Sequence, residues 1–155
     1  MGIEKIVAKQ YRDKVNHAVK QFGVFSMLPP EGWLRTVRTA LGMSGPQLAK
    51  RLGVSKARIS KAEHDEPVGS VTLKTMQTMA EAMGCRFVYA VIPEMEIEEV
   101  IKRRALKKAR EQVEAASTHM ALEAQSLSEE QLAFEIERIA AEIVEKMPSD
   151  LWNDL

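Results

Sequence analysis

Three short stretches of this chain are each opened by a hydroxyl residue and closed by a helix-ending signal: Ser44 to Gly53, Ser55 to Pro67 and Thr72 to Gly84. A Ser or Thr side chain satisfies a free N–H in the first turn of a helix, while glycine takes up the left-handed conformation in which helices stop, and proline cannot continue one. Inside these brackets Leu48 and Leu52, then Ile59 and Ala62, then Leu73, Met76, Met79, Ala80 and Met83 recur at helical spacing. The middle of the chain is therefore expected to form short packed helices. The corner Leu52-Gly53-Val54-Ser55 is the tight turn needed to join two of them as a helix-turn-helix. The methionine stripe reads as core filling rather than as a ligand box.

The flanks are also helical in pattern. Ile3, Val7, Tyr11, Val15, Ala18 and Phe22 predict an amphipathic helix over residues 4–22 that ends at Gly23. The connector GVFSMLPPEG interrupts it, and a second helix starts at Glu31 or Gly32, uses Trp33 as a core anchor beside Leu34 and Val37, and stops at Gly42. Beyond Pro93, Ile97, Ile101, Ala105, Ala109, Val113, Ala116 and Met120 outline a long helix from Glu94 to about Gln125. Ser128 then caps a last helix with Leu132, Ile136, Ile139, Ile143 and Met147 as its stripe, before Pro148. The tail around Trp152 either folds back on its own helices or docks a partner.

One segment has a different period. CRFVYAVIP alternates, with Phe87, Tyr89 and Val91 on one face and Val88, Ala90 and Ile92 on the other, the signature of a strand. A lone strand leaves backbone donors and acceptors unpaired, so the same strand of a second copy is its expected partner. Phe87, Val88, Tyr89 and Val91 are the candidate dimerisation residues. Cys85, just before it, is the single cysteine; it is expected to be a small buried apolar residue without an internal disulfide.

Composition narrows the function. The 155 residues carry 22 Lys plus Arg against 22 Asp plus Glu, for a formal net charge of zero. Bulk charge alone does not favour nucleic acid, so the placement of charge decides. From Gly32 to Ala62 every charged residue is basic: Arg35, Arg38, Lys50, Arg51, Lys56, Arg58 and Lys61. Residues 126–155 reverse this, with eight carboxylates against Arg138 and Lys146. Two surfaces with different partners are implied. The lone cysteine, a start without a secretory apolar run and the lack of an eighteen-residue apolar stretch lead to the expectation of a cytoplasmic protein that does not enter a membrane. His17, His64 and His119 have no metal-ligand spacing, and no phosphate loop or nucleophile elbow occurs, so neither an enzyme nor a cofactor is expected.

At about 100° per residue, Lys56, Ala57, Ser60, Lys61 and His64 share one side of the helix that follows Ser55. Ile59, Ala62 and Glu63 share the other, with Arg58 beside them. A short polar face of this kind fits a major groove, where Lys donors reach guanine O6 and N7 and small side chains allow close approach. The free N–H groups behind Ser44 and Ser55 would face phosphates. The plain alternative is a solvated helix face. The candidate contacts to double-stranded DNA are Ser44 and Gln47 at the first helix of the pair, and Ser55, Lys56, Ala57, Arg58, Ser60 and Lys61 at the second.

The stretch LRTVRTALGMSGPQLAKRLGVSKARISKAEHDE resembles the helix-turn-helix of Xre/Cro-type phage repressors. More narrowly, WLRTVRTALGMS, SKARISKAE, LKTMQTMAEAMGCRFVYAVIP and MPSDLWND together resemble the mobile mystery protein A family. That resemblance implies a mostly α fold: a lambda-repressor-like helix-turn-helix core at residues 31–92 with one dimer-forming strand, an N-terminal helical extension at 1–30 and a C-terminal helical region at 93–155. It implies a homodimeric, sequence-specific transcriptional regulator on a palindromic operator, acting as autorepressor of an operon that also encodes a Fic-domain protein. It places base contacts on Lys56, Ala57, Ser60 and Lys61, a backbone contact on Ser55, and an ion pair between Arg38 and Glu63. Such repressors often carry Gln just after the first cap, where this chain has Gly45 and Pro46. The alternative reading is an antitoxin-like interaction protein that restrains a Fic-domain toxin through residues 94–155. The nearest approach to a Fic-inhibitory motif, Ser126 to Glu130, is followed by Gln131 rather than Gly or Asn, so that mode of neutralisation is not expected.

Overall fold

The computed structural model describes residues 2–22, 28–122 and 127–153, with backbone only at 120–122. Among the described residues seven helices run in order: α1 Ile3–Phe22, α2 Trp33–Ala40, α3 Gly45–Leu52, α4 Lys56–Asp65, α5 Leu73–Ala82, α6 Ile97–Leu122 and α7 Glu129–Lys146. The expected ends at Gly23 and Gln125, and Ser126 of the Fic-like motif, lie outside the described residues. The chain divides into two compact units, one of residues 20–91 and one of residues 1–19 with 92–155.

The first unit packs α2 to α5 around Leu34, Leu48, Ile59, Met76, Met79 and Met83. Leu48 has no exposed surface. Burial of such a side chain contributes about 1.5–3 kcal/mol relative to exposure. The hydroxyl residues open their helices as N-caps: the side chains of Ser44, Ser55 and Thr72 accept from the N–H groups of Gln47, Arg58 and Thr75.

α2 begins differently. Its N-cap Gly32 has no side chain to offer and holds φ at 81°. The carboxylate of Glu66, from the far end of α4, takes over, accepting from Trp33 N–H at 2.7 Å and Leu34 N–H at 2.8 Å. Two orphan donors and a buried anion thereby satisfy one another.

In the second unit, α6 and α7 form a hairpin. Ala105, Ala109 and Ala140 are buried in their contact, flanked by Ile101 and Ile143; small side chains at the crossing let helices approach closely. The start of α6 is also capped from a distance. Asn16 of α1 accepts from Ile97 N–H at 3.2 Å and donates to Glu98 at 2.9 Å, which holds the Glu98 carboxyl below its ordinary range.

After α7, Met147 turns the chain in the left-handed conformation, φ 46°. Buried Leu151 then seats in the apolar contact of the hairpin. Arg104 Nε donates to the Leu151 carbonyl at 2.6 Å and its Nη2 to the Asn153 carbonyl at 2.7 Å. Lys108, only 5% exposed, pairs with the Asp150 carboxylate at 2.8 Å and donates to the Asp150 carbonyl. A buried ammonium is tolerable because these oxygens meet it. The tail thus folds back on α6.

Three expectations need correction. The strand over 86–92 is not formed; among the described residues there is no strand, and none of their hydrogen bonds reaches the backbone of 86–92. The pattern suits a strand, but a ladder needs a second edge, and one chain does not supply it. Trp33 is exposed rather than a core anchor, because Leu34 takes the inward position of the first turn. Cys85 is exposed, not buried, as the chain leaves α5 past Gly84.

Candidate nucleic-acid interface

The interface is built on two short helices and the corner between them. Ser44 and Gln47 form a reciprocal capping box: Ser44 Oγ accepts from Gln47 N–H at 3.2 Å, and Gln47 Oε1 accepts from Ser44 N–H at 2.7 Å. Pro46 sits in the first turn of α3, where its missing N–H costs nothing. Gln47 therefore keeps its carboxamide NH2 as the group able to donate outward. At the other end Gly53 adopts φ 65°, ψ 32° and Val54 N–H returns to Ala49 O at 3.0 Å. An L side chain is disfavoured in that conformation, which is what turns the chain tightly enough to start α4 three residues later.

In α4, Ile59 and Ala62 are buried while Lys56, Ala57, Arg58, Ser60, Lys61 and His64 are exposed. The exposed side of α4 thus carries two ammonium groups with two small side chains between them, and the exposed Arg58 guanidinium at its margin, beside the buried face. Ser55 Oγ accepts from Arg58 N–H at 3.3 Å. Lys61 reaches one turn on to Asp65, Nζ to Oδ2 2.7 Å, an exposed i,i+4 pair of small energy.

The orientation of α4 is fixed from behind. Arg38 on α2 donates from Nη2 to Glu63 Oε2 at 2.9 Å and from Nε to Oε1, and its Nη1 donates to the Met43 carbonyl at 2.8 Å. One guanidinium thus ties the inner face of α4 to the corner that leads into the Ser44 cap. The hydrogen bond to Glu63 raises the Arg38 pKa further above its ordinary value, so the guanidinium stays charged across the physiological range. Arg51 has a structural contact too, donating to the Ala82 carbonyl at the end of α5 at 2.7 Å.

Glu66 was not foreseen from sequence; its signal is the capless Gly32 that starts a helix. Of the candidate dimerisation residues, Phe87 is half-buried against the first unit's core and stacks on Tyr89 with ring centroids 5.7 Å apart. Val88, Tyr89 and Val91 are exposed, Val91 at 92%. Among the described residues no three His, Cys, Asp or Glu side chains are grouped to hold a metal ion, and no helix is long and apolar enough to cross a membrane.

Four short helices joined through a capped, glycine-cornered pair define a helix-turn-helix. Residues 34–89 match the family model described as Helix-turn-helix, of the Xre/Cro type. The match opens at Leu34, whose N–H is held by Glu66, and closes at Tyr89. No curated protein and no solved structure matches the chain.

Proposed function

We propose that this chain is a sequence-specific, double-stranded-DNA-binding transcriptional regulator, an autorepressor of an operon encoding a Fic-type partner. The observation that carries the DNA reading is the outer face of α4: Lys56, Arg58 and Lys61 exposed around Ala57 and Ser60, within a stretch from residue 32 to 62 that has no carboxylate. The helix-turn-helix match over the same residues supports it. Lysines on such a face reach base edges while the capped N-termini of α3 and α4 meet phosphate oxygens. A homodimer joined through residues 86–92 would set two copies of α4 about 34 Å apart on a palindromic site. The test is a binding assay at fixed salt on DNA upstream of the protein's own gene. Lys56→Ala with Lys61→Ala should abolish preference for that DNA over a scrambled duplex; undiminished preference would remove the assignment.

A second reading, an antitoxin-like protein that restrains a Fic-domain partner through residues 94–155, has one observation in its favour. Phe134 on α7 is 68% exposed and lines a cleft with Leu127, Glu130 and Glu135. If Phe134→Ser removes co-purification with the Fic-domain protein and leaves DNA binding intact, the chain carries both activities on separate surfaces.

A further inference from the structure

Between α4 and α5, inside the first unit, lies a cleft of about 360 Å³. That is within the usual range of small-molecule sites, roughly 300–1,000 Å³. Its floor is apolar: Leu52, Val54, Ile59, Ala62 and Met79. Arg58 of α4 and Lys74 of α5 line it as well, and neither makes an ion pair among the described residues. No carboxylate lines the cleft; Thr75 and Thr78 complete its wall, the Thr78 hydroxyl donating to the Lys74 carbonyl at 2.9 Å. An apolar floor with two cations outside any ion pair is complementary to a short apolar chain ending in a carboxylate.

We propose that this cleft binds a small amphipathic carboxylate, its chain on the Ile59–Met79 floor and its head group between Arg58 and Lys74. A guanidinium suits the two oxygens of a carboxylate, and lysine adds a mobile charge. A bare phosphate would use the cations and leave the floor uncovered; a neutral alkane would do the reverse. Binding would tie α4 to α5 and draw Arg58 toward the cleft. The site stands without any DNA reading, but its consequence rests on it: an occupant that engages Arg58 takes a cation from the outer side of α4 and weakens DNA contact.

The experiment uses the full chain without DNA and octanoate as probe, followed by calorimetry and by methyl shifts of Met79 and Met76. Acetate, inorganic phosphate and octanol are the comparisons. Octanoate alone should bind saturably and move the Met79 methyl. Lys74→Gln, a surface change that leaves the core intact, should weaken it roughly fivefold, as expected for one exposed charge pair. Thr78→Trp should fill the cleft and abolish binding, with circular dichroism confirming the fold. Absence of octanoate binding, equal binding of acetate or octanol, or full affinity in both variants would each overturn the site. In a second arm, saturating octanoate should raise the Kd for DNA. If octanoate binds but wild-type protein shows no DNA preference at any octanoate concentration, the regulator reading fails and the site survives.

Discussion

Glu66 occupies the space that a side chain on residue 32 would need: a Cβ added to Gly32 would lie 2.7 Å from Glu66 Oε2. The glycine is thus required twice, for its φ of 81° and for the carboxylate that caps α2 in its place. Gly32→Ala should destabilise the first unit by about 2 kcal/mol or more, from left-handed strain plus the clash. Glu66→Ala should cost about 1–3 kcal/mol, since two helix N–H groups lose their acceptor. Urea unfolding followed by circular dichroism measures both, and a loss below 0.5 kcal/mol, roughly the scatter of neutral surface changes, would refute the cap.

Arg38 and Glu63 offer a cleaner pairwise measurement. Both side chains are mostly buried, at 16% and 10% exposure. Removing either partner should cost about 3 kcal/mol, since the other charge is left without its counterpart. A double-mutant cycle with Arg38→Met and Glu63→Leu should return most of that as coupling energy, because the apolar pair leaves no orphaned charge. Additive single effects would show that the two side chains act independently.

Salt dependence separates the roles of residues on α4. If Lys56 meets phosphate as well as base, Lys56→Ala should reduce the slope of log K against log salt by about one. Asp65→Asn frees Lys61 from its 2.7 Å partner and should strengthen DNA binding at low salt, with the gain fading as salt rises. Weaker binding by Asp65→Asn would show instead that Asp65 positions Lys61.

The tail supplies a pH signature. The hydrogen bond from Lys108 holds the Asp150 carboxyl below its ordinary range. Its folded-state pKa is therefore depressed relative to the unfolded chain, so its contribution is full above the unfolded value and is lost as pH falls through the folded one. Asp150→Asn should lower Tm at neutral pH, and the difference from wild type should shrink as pH falls through the depressed folded-state pKa of Asp150, below the ordinary aspartate range. A difference independent of pH would mean that the backbone contacts of Arg104 and Lys108 alone hold the tail.

Self-association has a surface marker. Val91 is exposed in the single chain, so Val91→Lys should leave the unfolding free energy of the monomer unchanged. It should raise the dimer dissociation constant at least tenfold by sedimentation equilibrium if residues 86–92 form the interface. An unchanged constant would place any interface elsewhere.

Local chemistry was what the sequence displayed best. Ser44, Ser55, Thr72 and Ser128 each bond an N–H three residues on, so their helix starts follow from adjacent letters alone. The inner and outer faces of α4 likewise follow from a fixed angular step. What stayed hidden is non-local: Glu66 caps a helix 33 residues earlier, and Asn16 one 81 residues later. No spacing rule connects such pairs before the fold exists. The Lys61–Asp65 contact is the exception, since its i,i+4 spacing was there to be read. The segment 86–92 shows the opposite limit, because an alternating pattern states what a strand would present but not where its neighbour lies.

Among the described residues no backbone hydrogen bond reaches the amide and carbonyl groups of residues 86–92. Hydration is cheap for them, so an isolated copy suffers little, yet any ladder they join has to be closed by another molecule. The abundance of such pairs rises with the square of the free chain at low concentration, and a two-fold operator read by pairs would be occupied steeply rather than in proportion. In the dimer proposed above, an unfinished edge of this kind would let the protein meter its own supply.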